Sequence, residues 1–169
     1  MKEHILIIFL TLTTCISIFI FTLVQTHEPM PVFDSEDILF EHQTIHGDIV
    51  ISTNLYEELV LSFIHRNIGR TENLGHTTAV VDSEATHLIL RATDTIPYTT
   101  HALVSSNPDL YKMIVIEAGT SIAHQAHRKK TTCDNTAVFM VSSIDLTGNE
   151  ALIIGLSSDN EIILEIETP

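Results

Sequence analysis

The chain has 169 residues, of which 22 are acidic and 8 basic, for a formal net charge of -14 at pH 7, with 10 histidines, 2 cysteines and no tryptophan. Such a balance argues against nucleic acid and against anionic membrane surfaces as partners, since both reward clustered cations. With one cysteine in the apolar N-terminal run and the other at position 133, an intradomain disulfide framework is excluded as well.

Residues 5–24 read ILIIFLTLTTCISIFIFTLV, without a charge, a Gly or a Pro. At ~1.5 Å rise per residue this is roughly 30 Å of helix, the thickness of a bilayer's hydrocarbon core. The segment is longer than the apolar core of a secretory signal, and no Ala-x-Ala follows it. It predicts an uncleaved, single-pass signal anchor in the lipid bilayer, with a cleaved and secreted form as the alternative. Lys2 precedes the span, and no Lys or Arg follows it until Arg66. The positive-inside rule therefore makes residues 1–4 a short cytoplasmic N-terminus and puts the rest outside the cytoplasm. Residues 25–37, with Pro29 and Pro31, form a stalk, and residues 38–169 an acidic extracytoplasmic domain.

Within the domain, Ile49, Val50 and Ile51 form a short strand after Gly47 and Asp48. Residues 55–68 predict a helix. Asn54 is placed to cap it and Glu57 to complete a capping box, with Gly69 as the stop. Leu55, Tyr56, Leu59, Val60, Phe63 and Ile64 recur at one-, three- and four-residue steps. Ser62 falls off that face. Residues 79–81 read as a short strand. Asp82, Ser83 and Glu84 then open a second helix carrying Ala85, Leu88, Ile89 and Ala92, or a strand over 86–92. Residues 98–104 and 111–117 read as strands, and residues 121–130 as a short polar helix.

Three apolar runs close the chain, at 137–142, 151–154 and 161–167, separated by turn residues. Short connections favour antiparallel neighbours, so the runs predict a three-strand meander. In its last strand Ile162, Leu164 and Ile166 share the buried face and Glu165 points out. The predicted fold class is α+β: a mainly antiparallel sheet with two to three helices on it. PAS-like and profilin-like domains share that plan, which by itself implies no function.

Histidines are the first candidates for a site. His42 and His46 stand four apart beside Glu41 and Asp48 and make a weak metal pair, although Gly47 suggests a turn that would separate the rings. His124 and His127 are followed at once by Arg128, Lys129 and Lys130, which would repel a divalent cation. Those three cations read either as a helix C-terminus or as a docking patch for an acidic protein partner. Cys133 lies in a polar stretch beside Asp134, which would raise its pKa rather than activate it.

Gly-x-Ser-x-Gly, P-loop and Gly-x-Gly-x-x-Gly patterns are absent. No catalytic residue and no cofactor is predicted. The leading reading is a membrane-anchored, non-catalytic domain with a structural or protein-binding role; a small-ligand-binding, sensor-like domain is the alternative. A third reading comes from Arg66 and Arg70, which follow the apolar run 55–64. With Ser105 and Ser106 before the strand at 111–117, and Ile154-Gly155-Leu156 near the end, this stretch loosely resembles membrane-anchored relatives of the flavin nitroreductases. The resemblance would make Arg66 and Arg70 phosphate-binding and the protein a degenerate flavin enzyme.

Overall fold

In the computed structural model the described residues are 38–67, 70–82, 84–120, 122–132, 135–148 and 150–168. The predicted span, the stalk, Gly69, Ser83, Cys133 and Asp134 lie outside them. Every regular element among the described residues is a strand. They are β1 (Ile38–Gln43), β2 (Asp48–Thr53), β3 (Glu58–Asn67), β4 (Arg70–Val80), β5 (Ala85–Leu90), β6 (Thr99–Ser105), β7 (Lys112–Glu117), β8 (Ala123–His127), β9 (Lys129–Lys130), β10 (Ala137–Ser143), β11 (Ala151–Leu156) and β12 (Ile162–Thr168). All pairings are antiparallel. The strands form three four-stranded sheets: A, in the order β1-β2-β3-β4; B, β5-β6-β10-β9; and C, β12-β11-β7-β8.

Side chains of a strand alternate between the two faces of its sheet, and here the alternation sorts the core into two layers. From sheet B, Leu88, Leu90, Ala102, Val104, Val138 and Met140 pack with Ile49, Ile51, Leu59, Leu61 and Phe63 of sheet A. The intervening residues Ala85, Leu103, Ala137, Phe139 and Val141 pack with Met113, Val115, Ala126, Ala151 and Ile153 of sheet C. Sheet B is therefore the middle of three layers. Its strand β6 is buried along its whole length, as expected of a strand with no solvent face.

The α+β expectation is corrected: the architecture is all-β, with no helix among the described residues. Of the segment expected to be helical, residues 55–67 are a hairpin turn followed by β3. Asn54 caps a turn rather than a helix. Its Oδ1 accepts from the backbone N–H groups of Tyr56 and Glu58 at 2.9 and 3.0 Å. Glu57 takes φ 60°, which ends any helical path. Leu55 and Tyr56, assigned to the buried face, are 99% and 84% exposed, whereas Ser62 is fully buried. The four-residue step from Leu59 to Phe63 fits a helix and a strand alike. Leu61, also fully buried, breaks the tie, since it would lie opposite them on a helix.

Residues 85–90 and 123–127 are likewise strands. The C-terminal meander is corrected in part. Strands β11 and β12 pair antiparallel, from Ala151 opposite Thr168 to Gly155 opposite Leu164, and Leu164 and Ile166 pack on the core. Ile162 is 60% exposed. But β10 belongs to sheet B, and β11 pairs on its other side with β7. The segment between β10 and β11 crosses from one layer to the next.

Candidate functional site

A group of ionisable side chains is buried in the layer between sheets B and C. His87 of β5 and His101 of β6 lie on the face of sheet B that looks toward sheet C. They sit diagonally across the ladder, where His87 is opposite Leu103 and Ile89 opposite His101. Their rings stack at 5.3 Å between centroids, and His87 Nε2 lies 3.1 Å from His101 Nδ1. Glu117, the last residue of β7, faces them from sheet C; its Oε1 is 3.8 Å from His101 Nε2. That separation is electrostatic contact, too long for a hydrogen bond, and leaves His101 Nε2 buried without a partner.

Glu117 is fully buried but well supplied with donors. Thr147 donates from its backbone N at 2.8 Å and its hydroxyl at 3.0 Å, and Gly148 from its N at 2.7 Å. Burial pushes the Glu117 carboxyl up. These hydrogen bonds, with the His101 charge, outweigh it and hold the carboxyl below its usual range. The loop that supplies the donors needs its glycine. Gly148 has φ +75°, and a Cβ there would lie 2.8 Å from Arg91 Cγ. Arg91 fixes the loop in turn, its Nε donating to Gly148 O at 2.7 Å.

Burial pushes His101 down to about 4, with the charges of His124 and Arg91 adding to it; the Glu117 carboxylate works upward but does not prevail. His87 is pushed down to about 4, by burial first and then by the charge of His101. Both imidazoles are therefore neutral at pH 7. An ionised Glu117 favours the tautomer of His101 that carries its proton on Nε2. His101 Nδ1 then accepts, His87 Nε2 donates, and His87 Nδ1 keeps a free lone pair.

His87 lines a cleft of about 600 Å³ at the open margin of the B–C layer, where the edge strands β5 and β12 flank it. Ile89, Leu164 and Ile166 give the cleft an apolar wall; Asp82, Glu84 and Glu167 bring carboxylates to it. The hydroxyls present are engaged: Thr86 Oγ1 accepts from Asp82 N, and Thr168 Oγ1 bonds the backbone of Ala151. An imidazole held near 4 is a weak base at neutral pH, better suited to accepting a hydrogen bond than to taking a proton.

The residues singled out from the sequence are placed elsewhere. His42 lies on β1 beside Lys129, whose charge, after burial, lowers its pKa. His46 sits in the turn before β2 with its ring 5.6 Å from that of Tyr98. Among the described residues no group of three or more His, Cys, Asp or Glu is arranged to hold a metal. Arg128, Lys129 and Lys130 diverge: Arg128 Nη1 donates to Pro108 O at 2.7 Å, Lys129 Nζ lies 5.6 Å over the Phe40 ring, and Lys130 is exposed. Arg66 is neutralised by Glu41 and Asp48, each at 2.9 Å. The helix that the flavin-enzyme resemblance needs before it is β3.

His87, His101, Glu117 and Gly148 carried no motif. The signal available for them was a histidine in the middle of a run of small and apolar residues at 99–105, and an acid closing an apolar strand. Neither the protein-family models, nor curated proteins, nor solved structures contain a match to this chain.

Proposed function

We propose that residues 38–169 form a non-catalytic binding domain, anchored in a membrane by residues 5–24 and lying outside the cytoplasm, whose partner protein seats in the cleft between β5 and β12. The observation that carries this reading is the cleft itself. It joins an apolar wall to carboxylates, between two edge strands whose outer backbone groups offer pairing sites. Apolar surface supplies affinity, and the carboxylates select a cationic segment over an acidic one. A second reading, a small-ligand-binding domain, is supported by the His87 lone pair, which would accept a hydrogen bond from a ligand donor.

Photo-crosslinking of the full chain in its own membranes tests the proposal. Probes at Glu84 and Glu167 should yield one discrete adduct, and a probe at the exposed Tyr56 should not. The double variant Glu84→Lys with Glu167→Lys should abolish the adduct while leaving the fold intact by circular dichroism. A protein adduct supports the first reading and a small-molecule adduct the second. Equal labelling from Tyr56 would remove the cleft as the seat. The anchor is tested separately: the full chain should stay in membranes after alkaline extraction, and a chain lacking residues 1–26 should not.

A further inference from the structure

At the margin of the molecule opposite the β5–β12 cleft, a pocket of about 380 Å³ opens where β1, β8, β9 and β10 meet. Its polar lining is His42, His124, Gln125, Lys129, Ser142 and Ser143. In a chain with 22 acidic residues, none of the described residues lining this pocket is an Asp or a Glu. The side chains come from all three sheets: His42 from A, Lys129 and the serines from B, His124 from C. Alternation explains why they converge. On β8, Ala126 packs into the core between B and C, so His124, two residues earlier, is on the same inward face.

The donors here are unspent. Among the described residues Lys129 Nζ has no carboxylate partner; its contact is the Phe40 ring at 5.6 Å. Among the described residues the rings of His42 and His124 make no hydrogen bond, whereas the cations Arg66 and Arg128 are engaged. Ser143 Oγ accepts from Asp145 N at 3.1 Å, which leaves its own proton to donate. Ser142 Oγ shares a proton with Thr100 Oγ1 at 2.9 Å. A partly buried ammonium flanked by uncommitted donors suits a group rich in acceptor lone pairs, and it repels a metal cation.

We propose that this pocket is an oxyanion site, binding a phosphate, sulfate or similar group, free or as the head of a small molecule or lipid. Lys129 supplies the charge, and His42, His124 and Ser143 supply directed hydrogen bonds. The volume is at the small end of ligand pockets, which limits the occupant to a compact headgroup. An ion held there would also tie the three sheets together at that margin.

The test uses the full chain in a neutral detergent. Inorganic phosphate should shift the His42 and His124 imidazole resonances saturably, in the low-millimolar range or tighter. Lys129→Gln should weaken the binding about tenfold or more, the worth of one charge-assisted hydrogen bond. Lys130→Gln, one residue along the same strand but outside the pocket, should leave it unchanged. Circular dichroism confirms that both variants fold. In a second arm, phosphatidic acid in phosphatidylcholine vesicles is compared with phosphatidylcholine alone. Binding by phosphate assigns a soluble oxyanion. Binding by phosphatidic acid alone, lost in Lys129→Gln, assigns a lipid head. No saturable response in either arm, or equal weakening by the two lysine variants, overturns the site.

Discussion

The two layers flanking sheet B are built from similar amounts of buried aliphatic and aromatic side chain, yet they differ in kind. The layer toward sheet A is aliphatic and aromatic at its centre, where Ile49, Ile51, Leu61 and Phe63 meet Leu88, Ala102, Val104 and Met140, and its buried polar groups on sheet B are the hydroxyls of Thr86 and Thr100 rather than ionisable side chains. The layer toward sheet C packs Phe139, Met113 and Ile153 equally tightly, but it also buries His101 and Glu117. Buried polar groups cost stability unless they are fully satisfied, and His101 Nε2 is not. Packing alone would not select a histidine at a position where Ala102, one residue on, serves the other face. The contrast marks the B–C layer as the one shaped for a task and the A–B layer as the one shaped for stability.

The largest expected effect tests the shared part of the comparison. Phe63→Ala and Phe139→Ala each empty a fully buried aromatic site, one per layer. Each should cost about 3–5 kcal/mol by chemical denaturation. A cost under about 1 kcal/mol for either would show that its layer is not packed as described.

Acid should separate the layers. His87 and His101 titrate near 4 in the folded chain against 6.5 as free groups. The unfolded chain therefore takes up protons first as pH falls. Stability is fully present above about 6.5 and is lost between there and about 4, by roughly 3 kcal/mol for the first imidazole. Below the usual carboxylate range Glu117, whose carboxyl is held low, adds a second loss. In His101→Gln the loss between pH 6.5 and 4 should shrink. An unchanged pH profile in that variant would place the acid sensitivity elsewhere.

Glu117→Ala has a smaller cost, about 2 kcal/mol, because Gly148 N loses its acceptor in a buried position while the exposed Thr147 can turn to water. The informative readout is His101, which should titrate lower still once the carboxylate that pulls it upward is gone. A rise in its pKa would mean that the residues interact differently.

The strands at 49–51, 98–104, 111–117 and 137–142 were legible in the sequence, because each is an apolar run bounded by Gly, Pro, Asn or Asp. The segment 55–68 reads as a helix because its four-residue steps satisfy both periods, and the decisive Leu61 falls off the helical face. The segment 123–127 has little apolar content, and its strand state comes from pairing with β7, which local reading does not see. The supposed third strand of the meander fails for a related reason. The loop after β10 buries Leu146 and caps Glu117 with Thr147 and Gly148, so it crosses between layers instead of turning back. Of the site, only single unusual residues were visible; that His87, His101 and Glu117 meet depends on two sheets stacking face to face.

The most direct test of the account is the nitrogen spectrum of the His87 and His101 rings in the full chain, followed through pH. Two neutral imidazoles are expected down to about pH 4, with His101 protonated on Nε2, His87 on Nε2, and a coupling across the 3.1 Å contact between them. Titration of both rings near 6.5 with averaged tautomers would contradict this, and the B–C layer would then be no different in kind from the layer on the other side of sheet B.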